Sequence, residues 1–229
     1  MTGSDLGNDL AIFPMVEEDA AVGRVAGVYA RLLERMPLVP SLFKSLAVCP
    51  PYLVLAAEQT EGVLDAPDFA TVSTELLDSV RGASTPTADP AVRHTLAAFT
   101  GPLCRMLLLS AGLLRALAGD LDAPSAPGRM SAAAAARPAD PAPSQWDATA
   151  SVLYGEIRSA LDTPLVNSIW RSLQGAGQLE SAWRALGPQA PGTRTAARRL
   201  QQRAIEDVKR VRWPVAADRP ALEAIGIAD

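Results

Sequence analysis

Apolar residues along this chain recur at the three- and four-residue spacing of helices, and proline-rich breaks divide them into short segments. Val22, Val25, Val28, Tyr29, Leu32, Leu33 and Met36 mark a first helix over 17–36. Glu17, Glu18 and Asp19 sit at its positive end, with Arg31 and Arg35 near its negative end. Pro37 and Pro40 break it. A short helix is expected from Ser41 to Val48, stopped by Pro50-Pro51, and another from Tyr52 to Leu64. Asp68 suits the cap of a helix reaching Arg81, with Gly82 just past its end. Asp89-Pro90 opens a further helix, and Gly101-Pro102 separates it from the segment 103–118. That segment is polar only at Arg105, Ser110 and Arg115, so it is expected at the centre of the fold. Alanine and leucine dominate and alternating β-branched runs are missing, which makes the fold class all-α.

Residues 122–145 differ in character, with five prolines, nine alanines and almost no large apolar side chain. They read as a linker, flexible to semi-rigid, between a first helical repeat over 13–121 and a second over 146–229. The second part restarts the pattern of the first. A helix carrying Tyr154, Ile157 and Leu161 leads into Pro-Leu-Val-Asn-Ser-Ile-Trp-Arg-Ser-Leu from Pro164 to Leu173. At a constant offset of 127, Pro37 to Leu46 read Pro-Leu-Val-Pro-Ser-Leu-Phe-Lys-Ser-Leu, with six identities and three conservative changes. Tyr29 and Tyr154 occupy the helices that precede the two segments. In each copy the serine is placed to cap the new helix, the aromatic to pack inward, and Lys44 or Arg171 to reach solvent. Two such copies can pack about a pseudo-twofold axis with a cavity between them. Leu179 and Trp183 continue the second copy, and a long helix follows from Thr193 to Val211. No counterpart of the apolar 103–118 helix comes after it, so the second repeat is expected to be incomplete.

Length and charge narrow the functions. The 229 residues suit one large domain or two small ones, and a net charge of −4 gives no global reason to bind nucleic acid or an anionic membrane. The basic run from Arg194 to Arg212 is interrupted by Glu206 and Asp207 and reads as a solvated amphipathic helix. Cys49 and Cys104 make no metal-type or redox spacing, and His94 is the only histidine, so a zinc site of the Cys/His kind is not expected. His94 itself reads as a partly exposed helical residue. Leu103 to Leu117 is too short to span a bilayer, and the first ten residues lack a basic, apolar start; a cytoplasmic protein is expected.

The order Tyr, helix, Pro-x-Val, aromatic-Arg, Leu, then Leu-x-x-x-Trp resembles the group I 2-haloacid dehalogenases, an all-helical, internally duplicated family. Phe99, Arg105, Met106 and Leu107-Leu108-Leu109 are similar to that family's Phe-x-x-x-Asn-Pro-Lys-x-Leu-Leu-Leu helix, and the likeness covers 13–118 and 146–213. The resemblance implies hydrolysis of the carbon–halogen bond of short 2-haloacids without cofactor. A carboxylate in the second copy acts as base, and an asparagine in the first holds the water. Here the base position falls on Ile169, directly after Ser168, and the asparagine position on Leu103. Positions of substrate-contacting residues fall on Leu38 and Ser41, and the family's final tyrosine-bearing helix lies past Asp229.

Isoleucine cannot accept a proton and leucine cannot orient water; losing a positioned base costs roughly 10²- to 10⁴-fold in rate. The expectation is therefore a small-molecule pocket protein on a dehalogenase-like scaffold, with carbon–halogen hydrolysis lost. Its candidate pocket is Leu38, Ser41, Leu103, Asn167, Ser168 and Ile169, with Tyr29 and Tyr154 in second rank. As an enzyme it acts on a small organic acid or an apolar metabolite, with the catalytic residues left open. The alternatives are a non-catalytic binding or assembly module, in which the duplicated faces serve a partner or a homodimer, and an active dehalogenase with Asn167 or Glu180 moved into role. Ser168 as a mere helix cap, Asn167 as a turn residue and the tyrosines as core are the plainer readings. Glu58 and Glu61 read as a carboxylate pair on a surface that Gln59 and Thr60 mark as solvated.

Overall fold

A computed structural model describes residues 14–36, 38–83, 89–127, 148–163 and 166–227. Pro37, the Pro164-Leu165 start of the second segment and most of the expected linker lie outside the described residues. The chain is all-α: among the described residues there is no strand, only an isolated bridge between Ser125 and Ala216. The α-helices are α1 (Gly23–Leu33), α2 (Ser41–Leu46), α3 (Pro50–Leu64), α4 (Pro67–Ala83) and α5 (Pro90–Ala118). They continue with α6 (Ala148–Leu161), α7 (Ser168–Gly175), α8 (Leu179–Leu186), α9 (Ala190–Asp207) and α10 (Arg219–Ala224).

Several boundaries differ from the sequence pattern, each for a physical reason. The acidic residues expected to open the first helix form a separate 3-10 turn, Glu18–Ala20, and α1 begins only at Gly23. Pro50 and Pro51 do not end a helix but start α3, where their missing N–H groups cost nothing. Gly82 lies inside α4 rather than beyond it. The largest departure is α5, a single 29-residue helix that runs straight through Gly101-Pro102. A proline inside a helix costs about 3 kcal/mol. Fully buried Leu108 and Leu109 offset it, since each such side chain contributes about 1.5–3 kcal/mol. Asp89 caps α5 as expected, its carboxylate accepting from the backbone of Ala91 and Val92.

Two main cores result, and α5 belongs to both. Its N-terminal half supplies Val92, Leu96 and Phe99 to a cluster with Tyr154, Ile157, Ile169, Trp170, Leu173 and Leu179 of α6–α8. Its C-terminal half supplies Cys104, Leu108 and Leu109 to a cluster with α1, α3 and α4, closed from the other end of the chain by Ala204, Val208, Val211 and Trp213. The 103–118 segment is central as expected, although Leu103 and Leu114 remain 39% and 54% exposed. Only the whole of α5, not the 103–117 stretch alone, is long and apolar enough by length and composition to cross a membrane, a test that the core helix of a soluble protein also passes.

The chain after α9 is clasped onto this frame. Trp213 packs its ring directly over Gly112 of α5 and donates its indole N–H to the Val208 carbonyl at 3.0 Å. Gln59 Oε1 accepts from the Ala217 N–H at 2.7 Å, and Asp68 Oδ2 from the Arg212 N–H at 2.7 Å. The first residues of the expected linker join in, with Ala126 buried and its N–H bonded to the Ala216 carbonyl at 2.7 Å.

Candidate functional site

Four of the six candidate pocket residues lie on or beside α2 and α7, the helices that open the two matched segments. Pro40 enters α2 without a side-chain cap, so the Ser41 hydroxyl is not used on its own helix. Asn167 caps α7 by accepting from the Ile169 N–H at 3.2 Å, which leaves the Ser168 hydroxyl equally unneeded there. The expectation that each serine caps its helix is thus overturned. The two hydroxyls instead meet, Ser41 Oγ to Ser168 Oγ at 2.9 Å, joining positions 127 apart across the seam between the helices. At that point the seam is closed, where the sequence pattern suggests a cavity.

One turn further on each helix stands a cation. Residues three apart share a helix face, so Lys44 lies beneath Ser41 and Arg171 beneath Ser168. Neither simply reaches solvent, as its position in the sequence suggests. Lys44 is buried, and both cations converge on Glu17: Lys44 Nζ donates to Oε2 at 2.9 Å, and an Arg171 guanidinium N–H donates to Oε1 at 2.6 Å. Glu18 takes Lys44 from its other side at 3.0 Å and accepts from the Val39 N–H at 3.4 Å. Two direct ion pairs outweigh the attraction of a helix terminus, about 0.3–1 kcal/mol, which is why these acids leave the start of α1. Burial pushes the Glu17 carboxyl up, but the hydrogen bonds and charges of Lys44 and Arg171 outweigh it and hold the group below the usual carboxylate range.

The backbone that carries Glu17 is fixed from both sides. The Val16 N–H donates to the Lys44 carbonyl at 3.0 Å, and the buried Tyr29 hydroxyl donates to the Val16 carbonyl at 2.8 Å. Burial, then the Glu17 and Glu18 carboxylates, push the Tyr29 phenol well up, so it stays a proton donor. Tyr29 therefore supports the seam through the backbone. Tyr154 lies buried in the hydrocarbon cluster of the second core.

Beside Ser168, Ile169 is 8% exposed and packs with Tyr154, Ile157 and Leu173. Trp170 crosses Trp183 edge to face, ring centroids 5.7 Å apart, and completes that apolar wall. Leu103 lies on the α5 face that carries Leu96 and Phe99, one turn beyond them and 39% exposed. Leu38, Asn167 and Ser168 are half-buried, whereas Ser41 and Ile169 are buried.

Other residues singled out by the sequence take structural roles. His94 is exposed on α5. Glu61 is held by Arg31 at 3.0 Å, and Gln59 and Thr60, expected on a solvated surface, are fully buried. Glu180 pairs with Arg184 at 2.7 Å on the exposed face of α8. Along α9 and the turn after it, Arg203 pairs with Asp207 and Arg210 with Glu75, as on a solvated helix. A cleft of about 240 Å³ opens elsewhere, between the end of α5 and the chain after α9, lined by Arg115, Asp120, Leu121, Val211 and Trp213 among others.

The arrangement of helices is the all-helical fold of the D-2-haloacid dehalogenases. Three solved structures share it over 95% of this chain and 85% of theirs: a D-2-haloacid dehalogenase mutant (TM-score 0.70, 20% identity), D-2-haloacid dehalogenase with L-LA (0.69, 19%) and a mutant with D-2-CPA (0.71, 18%). At these identities the likeness is one of fold. No protein-family model matches the sequence, and no curated protein matches it either.

Proposed function

We propose that this chain uses the dehalogenase scaffold to bind a small organic acid at the seam of α2 and α7, and that carbon–halogen hydrolysis is lost there. The observation that carries this reading is Ile169. It stands where the resemblance puts the base, and its surroundings are hydrocarbon. The neighbouring Ser168 hydroxyl is committed to Ser41, and Leu103 at the asparagine position offers no group to hold water. Glu17, the carboxylate that Lys44 and Arg171 hold at the seam, has one oxygen on each of two cations, which makes it a poor proton acceptor. The matched serines and matched cations meeting across the seam further support two copies packed about a pseudo-twofold axis. Thermal-shift measurements against a panel of two- to four-carbon carboxylates test the binding: a saturable rise in Tm is expected with at least one acid.

A second reading has its own observation. Leu103 and Leu114, eleven residues apart on α5 and therefore near one face, are both exposed, as an assembly module would require. No shift with any acid, together with a mass by light scattering that rises with concentration, favours that reading over the first.

A further inference from the structure

The cleft at the end of α5 shares no residue with the seam of α2 and α7. Leu121, Val208, Val211 and Trp213 give it an apolar wall. Trp213 is already fixed there by its indole bond to Val208 and its seat over Gly112, so a guest need not order it. Against that wall stands Arg115, nine-tenths buried and only partly used. Its Nη2 donates to the Asp120 carbonyl at 2.9 Å and meets Asp120 Oδ2 at 3.0 Å. Its Nε–H is shielded from solvent and has no acceptor. A buried charged donor left unpaired is costly, and an acceptor brought into the cleft recovers that cost.

The remaining charges define the guest. Lys209 is taken up by Glu206 at 2.6 Å, whereas Asp122, exposed at the same cleft, has no partner among the described residues. Arg115 and Lys209 are balanced by Asp120 and Asp122, so the lining carries no net charge and gives no electrostatic preference to an anion. A cavity of about 150 Å³ holds benzene, so this one of about 240 Å³ takes one ring with a short polar substituent. We propose that the cleft binds a small neutral amide of single-ring size, its carbonyl oxygen accepting from Arg115 Nε–H and its N–H donating to Asp122. The Asp120 carboxylate is half exposed, so it can turn toward water while the Asp120 backbone carbonyl keeps the guanidinium anchored. A carboxamide suits both groups because one planar unit carries an acceptor and a donor. A carboxylate has no proton for Asp122, and a hydrocarbon satisfies neither group. The site is therefore distinct in place and in chemistry from the seam proposed for small acids.

Benzamide is the probe, with binding read by calorimetry at constant ionic strength. Saturable one-to-one binding is expected, with benzoate and toluene roughly tenfold weaker or worse, the effect of losing one hydrogen bond to a charged group. Asp122→Ala, an exposed change that should leave the Tm where it is, should weaken benzamide several-fold. Arg115→Lys keeps the charge without the Nε–H and should weaken it by about tenfold. Leu121→Trp fills the cleft from its half-buried rim and should abolish binding; with Asp122→Ala it carries the test if the Arg115 variant does not fold. No saturable binding at millimolar benzamide, benzoate or toluene binding as tightly, or affinity unchanged in any of these variants overturns the proposal.

Discussion

At Glu17, burial and two cations act in opposite directions, and the cations win, leaving the folded carboxyl below its ordinary value. The groups that face it are Lys44 and Arg171, with Glu18 across Lys44 and the Tyr29 phenol beyond. A depressed carboxyl stabilises the fold above the unfolded value, about 4.3, and that contribution disappears as pH falls through the folded value. The difference in urea midpoint between wild type and Glu17→Gln should be constant near neutrality and shrink below about pH 4. A difference that grows on acidification would contradict the ion-pair geometry. Ile169 gives the complementary expectation. Ile169→Asp loses hydrocarbon burial and must desolvate a carboxyl, a combined cost of about 3–5 kcal/mol by denaturant unfolding. A cost below 1 kcal/mol would show that the position is wetter than its 8% exposure implies.

Helix α5 is where local pattern and tertiary packing disagree most. Gly101-Pro102 is a sound breaker signal in isolation, and only the two cores that grip opposite halves of the helix override it. The same helix shows why a glycine sits among its leucines: at Gly112 any Cβ would overlap the Trp213 ring. Gly112→Ala should therefore destabilise, although alanine is the better helix former by about 1 kcal/mol. Trp213→Ala should cost about 3–5 kcal/mol, read from thermal or urea unfolding. A stabilised Gly112→Ala variant would mean the clasp of residues 211–217 is not as drawn. The short helix α2 was legible from its Pro40-Ser41 entry and α7 from Asn167-Ser168, yet their contact through the two serines was not. The available signal was the repeated Ser-x-x-cation spacing at Ser41–Lys44 and Ser168–Arg171 in an acidic chain; a surface lysine and arginine are so common that the spacing alone does not single them out.

Over the whole molecule, helix content, the matched segments and the likeness to the dehalogenase fold follow from spacing and motif order. The partner of each segment does not, because residues such as Glu17 and Trp213 reach their sites through contacts more than a hundred positions away. The cores mix both ends of the chain, with Val92 and Phe99 packed on α6–α8, and Val208 and Trp213 packed on α3–α5. Unfolding in urea should accordingly follow one transition for both cores, whereas two resolved transitions would mean that α5 does not couple them. The proposed function depends on a single replacement, hydrocarbon at Ile169, where the resemblance puts the base. Chloride release from each enantiomer of 2-chloropropionate, followed with micromolar protein over hours, tests it most directly. No release above the protein-free rate is the expected result; steady turnover of either enantiomer would contradict the account.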